Sequence, residues 1–158
     1  WSRGLGDVYK RQTVDDVSLL IRDVETRLNM QPRDQPNSPP EHSAPDGFEW
    51  VAESWIAQDA LAMIQAKAGS YYPDHVVFLG PALPTHDEGR WPAVLTDGTG
   101  ISLRSDATSS QRAMLRCLSD ILIRLPANWS LEAIGLEAEA ELLNWDAEKY
   151  RQSLAARA

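Results

Sequence analysis

The chain has a single cysteine, Cys117, and no apolar run approaching the ~18 residues of a membrane span. One thiol excludes an intramolecular disulfide and an all-cysteine zinc site within one chain, and it fits a reducing compartment. No succession of charged, apolar and small residues reads as a signal peptide, so the expectation is a cytoplasmic protein without a membrane partner. Basic charge is also scarce: 15 Lys and Arg stand against 23 Asp and Glu, a formal net charge of -8. Such a surface repels phosphate backbones unless arginines gather in one place, which makes nucleic acid an unfavoured partner. HExxH, GxxxxGK, GxGxxG and GxSxG are all missing. No cofactor and no metal is therefore implied by motif.

What the chain does contain is enough for one core. Its 158 residues are 43% hydrophobic and include six tryptophans, a composition that packs. Residues 1–12 stand apart, because DVYKRQ (Asp7 to Gln12) resembles the translation of a sequencing-library adapter. Arg3, Lys10, Arg11 and Asp7 belong to that segment, so residues 13–158 keep 12 basic and 22 acidic side chains and are the more acidic part.

Residues 13–30 predict an amphipathic helix. Val14, Val17, Ile21, Val24 and Leu28 recur at spacings of three, four, three and four, and Thr13 with Asp16 forms a capping-box pattern at the start. A seam this narrow can dock on the parent domain, pair with a second copy or enter a groove of another protein. Residues 31–47 follow as a linker with Pro32, Pro36, Pro39, Pro40 and Pro45, expected to be extended and mobile, with no chemical role for His42.

The globular part, residues 48–158, reads as α+β: a small antiparallel sheet of three or four strands packed by about three helices. A helix is expected over 48–68, with Ile56, Ala57, Ala60, Leu61, Ile64 and Ala68 inward and Gly69 ending it. Val76, Val77, Phe78 and Leu79, apolar without alternation, predict a central strand covered on both faces. The strongest local signal is a hairpin over 91–104 about Asp97-Gly98. A two-residue loop pairs Val94 with Ile101 and Pro92 with Leu103, and sets Trp91 against Arg104 as a cation-π pair. A bulge at Gly100 would instead pair Thr96 with Gly100. Pro92 places its strand at a sheet edge. Thr108 and Gln111 form a capping box for a helix carrying Met114, Leu118, Ile121, Leu122 and Leu125. Residues 127–136 fit a strand or a helix start, and a terminal helix is expected from about Glu137, with Ala140 and Leu143 on its apolar stripe.

Three functional readings follow. The first is a non-enzymatic interaction or accessory protein that binds a protein partner, or self-associates, through the helix carrying Val14 to Leu28. The second is a small metal-assisted or acid/base enzyme on the loop 85–91, where His86, Asp87, Glu88, Arg90 and Trp91 crowd between expected strands. The third is weak nucleic-acid binding through an arginine face of Arg104, Arg112, Arg116 and Arg124.

Overall fold

The structure is a computed structural model that describes residues 14–30, 32–34, 40–126, 128–129 and 131–145. Its contacts divide the chain into two compact units, residues 1–32 and 33–158. In the first unit α1 spans Val14–Leu28. Asn29 ends it with a positive φ of 52°, and Met30 N–H donates back to Glu25 O at 2.8 Å, a left-handed cap that satisfies a terminal carbonyl. Thr13 lies outside the described residues, so the expected capping box does too.

The second unit is α+β, as the sequence predicts. Its three-stranded antiparallel sheet has the order β1 (Phe48–Trp50), β3 (Gly100–Arg104), β2 (Ala93–Thr96). Thr96 opposes Gly100, Leu95 opposes Ile101 and Ala93 opposes Leu103, which is the slipped hairpin register. Thr99 N–H bonds Thr96 O across a tight turn, with Gly98 at φ 70° in the position that requires a positive φ. The shift separates the expected cation-π pair. Arg104 lies over Phe48 at 5.9 Å, while the Trp91 ring is covered by Arg90 at 4.5 Å. β2 is an edge strand beginning just after Pro92, in keeping with the missing donor.

The expected long helix over 48–68 is four pieces. Phe48-Glu49-Trp50 alternates like a strand and pairs with β3; a 3-10 turn (Ala52–Ser54), α2 (Trp55–Gln58) and α3 (Ala60–Ala68) follow. Asp59 makes the break. Its backbone is extended and its carboxylate accepts the Ala62 N–H at 2.8 Å, so it starts α3 in a new rotational phase. Ala62, Gln65 and Ala66 are buried as a result, and Ile64 faces solvent. Gly69 ends α3 as expected.

The second correction concerns Val76 to Leu79, which form the α-helix α4 (Pro73–Leu79) and no strand. Pro73 at its first turn and Asp74 beside it suit a helix start. The residues from His75 to Leu79 are all buried, so a short helix hidden on every side reads as an unbroken apolar run. α5 (Ser109–Leu122) carries the capping box in full: Thr108 N–H donates to Gln111 Oε1 at 2.8 Å and Gln111 N–H to Thr108 Oγ1 at 3.2 Å. Residues 131–135 are neither strand nor helix, and α6 (Leu136–Asn144) starts one residue before the expected place. Its buried residue is Glu139, and Ala140 is exposed. α6 ends at Asn144 with Trp145 extended, short of the single helix expected to about residue 156, and residues 146–158 lie outside the described residues.

The main core joins the sheet to α2, α3 and α5 through Ile56, Leu95, Ile101, Leu103, Leu115 and Leu118. A smaller cluster stands beside it, in which Val76, Val77 and Phe78 of α4 meet Met114 of α5 and Leu142 and Leu143 of α6.

Candidate functional site

The loop 85–91 places its polar side chains on the surface. Asp87 Oδ1 accepts the Gly89 N–H at 2.7 Å, a local turn that uses the carboxylate to shape the backbone. His86 Nε2 lies 3.8 Å from Glu88 Oε1 with the imidazole 75% exposed, and Arg90 rests on Trp91. The loop is anchored by Trp91, whose ring lies on Gly80: a Cβ there would stand 2.6 Å from the indole, and φ is 99°. No group of three or more His, Cys, Asp or Glu is arranged to hold a metal among the described residues.

The four arginines each meet a carboxylate. Arg104 binds Asp106 at 3.1 Å, Arg112 binds Glu49, and Arg116 and Arg124 share Asp120 at 3.6 and 3.3 Å. Their mutual hydrogen bond holds the Asp106 carboxyl below its ordinary pKa and the Arg104 guanidinium above its own. Three carboxylates against four arginines leave little net positive charge to attract a phosphate backbone. Arg116 and Asp120 also line an open cleft of about 110 Å³ with Ala52, Glu53, Trp55 and Ser119.

On α1, Leu19, Leu20, Ile21, Val24 and Leu28 are 39–63% exposed, five of the nine large exposed hydrophobics among the described residues. Val14 and Val17 belong to its first turns, but their side chains lie outside the described residues.

Two polar assemblies, one half-buried and one buried, have no counterpart among the sequence expectations. The first is built on Arg33, within the Pro-rich stretch. Its Nη1 contacts both Asp59 carboxylate oxygens at 3.0 and 3.2 Å, Nη2 donates to Leu122 O at 2.7 Å, and the backbone N–H donates to Ile123 O at 2.8 Å. One side chain therefore ties the N-cap of α3 to the C-terminal carbonyls of α5. Farther along, Trp50 Nε1–H donates to His42 O at 2.7 Å and the two rings meet edge to face at 5.6 Å, so His42 has a packing role.

The second assembly lies where α4 meets α6. Glu139 is 3% exposed, and its Oε1 accepts from Ser70 N–H at 3.1 Å and Ser70 Oγ–H at 2.5 Å. His75 is fully buried between the rings of Tyr71 and Tyr72, with centroids 6.2 and 5.3 Å away. Neither imidazole nitrogen has a hydrogen-bond partner among the described residues. Burial pushes the His75 pKa down to about 4, against an opposing pull from Glu139. Burial likewise raises the Tyr72 hydroxyl, assisted by a hydrogen bond with Cys117. The signal for this assembly was a histidine directly before an apolar run, Asp74-His75-Val76-Val77.

No helix among the described residues is long and apolar enough to cross a membrane. No protein-family model matches this chain, and neither a curated protein nor a solved structure is found to be similar to it.

Proposed function

We propose that the protein is a non-enzymatic interaction module that self-associates through α1. The carrying observation is the concentration of Leu19, Leu20, Ile21, Val24 and Leu28 at 39–63% exposure on one fifteen-residue helix. Burying the exposed part of each such side chain gains about 1 kcal/mol, while an isolated helix of this length is marginal in water, so the helix and its partner stabilise each other. A second copy supplies the matching surface, because the three-four alternation of Val17, Ile21, Val24 and Leu28 is the seam of a two-stranded coil.

The covalent arrangement supports the same reading. Arg33, five positions after the last residue of α1, is fastened into the second unit, so the interaction helix is joined to the globular part by a short span. Sedimentation equilibrium of the full chain between low and high micromolar concentration tests the proposal. A mass rising from monomer to dimer, and lost in the double variant Ile21→Gln, Val24→Gln, is the expected result. A monomer at every concentration, or a dimer that survives the double substitution, overturns it.

The paired arginines and the solvated loop 85–91 do not favour the nucleic-acid or enzymatic readings over this one.

A further inference from the structure

The assembly at α4 and α6 combines three features that rarely occur together. His75 and Ser70 are fully buried and Glu139 nearly so. Glu139 receives two hydrogen bonds from Ser70, but no cation among the described residues pairs with it. The imidazole beside it has both nitrogens unpartnered among the described residues. Buried polar groups are normally satisfied, so an orphaned imidazole marks a place where a change of charge has large consequences.

The location decides what that change would do. His75 belongs to α4 and Glu139 to α6, and the apolar contacts between these helices form the satellite cluster of Val76, Val77 and Phe78 with Leu142 and Leu143. Among the described residues, none of α6 belongs to the main core. Segment 131–135, just before α6, is held by the Ile134 N–H bond to Ser70 O at 2.9 Å and by the close fit of Gly69, where a Cβ would stand 2.6 Å from Ala133 Cβ. Leu131 packs this lead-in on the main core, and α6 itself is attached, among the described residues, through one small apolar cluster and one carboxylate, which is the profile of a locally opening unit.

We propose that α6 is an acid-released flap: protonation of the buried His75 opens the α4–α6 contact and exposes Val76, Phe78, Leu142 and Leu143, while the sheet and main core stay closed. The ionisable groups facing His75 are Tyr71 and Tyr72 from the turn before α4, Asp74 on α4, Cys117 of α5 behind Tyr72, and Glu139 of α6. Glu139 favours the imidazolium, and burial outweighs it.

The pH window follows from the direction of the shift. An opened His75 titrates near its ordinary value of 6.5 and the closed one near 4, so between these values the open state binds the extra proton. Stability of the flap is complete above 6.5 and declines as the pH falls towards 4, by about tenfold in the closed-to-open ratio per pH unit.

Hydrogen exchange of the full chain followed by mass spectrometry, at pH 7.0, 6.0 and 5.0 and corrected for intrinsic rates, tests the flap. Protection of 136–144 is expected to fall about tenfold between pH 6.0 and 5.0 while that of 100–104 stays constant. His75→Gln, which keeps a polar side chain but cannot titrate, is expected to abolish the decline; Glu139→Gln, which still accepts from Ser70, is expected to retain it. If His75→Gln does not fold, His75→Phe serves, since it preserves the aromatic packing. Constant protection of 136–144, a parallel loss at 100–104, or an unchanged decline in the His75 variant overturns the proposal.

Discussion

The loop 85–91 and the assembly of Ser70, His75 and Glu139 hold similar residue types in opposite environments. The loop has a histidine, two carboxylates and an arginine in five consecutive positions, yet each is solvated and its closest polar contacts are local. The buried assembly draws its residues from three places in the sequence, across 69 positions between Ser70 and Glu139. Water screens the first set and is excluded from the second, so the same charges have weak consequences in one and strong consequences in the other. Density of polar residues along the chain is therefore a poor guide to where polar chemistry matters in this molecule. Burial after folding is the better one.

Substitutions can break this contrast or sharpen it. The largest effect is expected at Arg33, another polar group drawn inward from an unpromising segment. Arg33→Met removes the contacts to Asp59 and Leu122 O and is expected to cost about 3 kcal/mol in urea unfolding, since it leaves a half-buried carboxylate without its cation. A loss below about 0.5 kcal/mol would mean that the contact is incidental. Gly80→Ala probes the contact on which the Trp91 end of the solvated loop rests. Its Cβ would strike the Trp91 ring, and the backbone has φ 99°, so a cost of about 2 kcal/mol is expected in thermal unfolding. Wild-type stability in that variant would show that Trp91 does not rest on Gly80. The smallest effect is expected at the exposed pair of Lys67 with Asp97, 2.9 Å apart. Lys67→Ala should change stability by less than about 0.5 kcal/mol, and less still in high salt; a larger loss would deny that exposure governs the strength of these contacts.

Local features were legible in the sequence and distant ones were not. The Asp97-Gly98 turn, the Thr108-Gln111 capping box, the stop at Gly69 and the start of α6 are each written within a few consecutive residues, and each is found. α4 was misread because its identity depends on being covered on every side, which removes the periodicity that marks a helix. The phase of α3 was misread because one extended residue, Asp59, resets it, and a carboxylate between alanines looks like solvent-facing helix. Of the seam expected on α1, Ile21, Val24 and Leu28 are described and exposed, while the exposed Leu19 and Leu20 stand outside its three-four spacing. Glu139 was not legible, because an acidic helix N-terminus already has an explanation in the helix dipole, and its inward turn is set by Ser70 far away in sequence. Arg33 was hidden among prolines for the same reason: its partners are 26 and 89 positions away.

The most direct test sets the two polar regions against each other in one experiment. Urea unfolding at pH 7 of Glu139→Ala is compared with that of the triple variant His86→Ala, Asp87→Ala, Glu88→Ala. Glu139→Ala strands the buried Ser70 N–H and hydroxyl and is expected to lose about 3 kcal/mol, whereas the triple variant should stay within about 1 kcal/mol of the wild type. Equal losses, or a larger loss in the triple variant, would contradict the claim that burial, and not the density of polar residues along the chain, decides where polar contacts matter in this molecule.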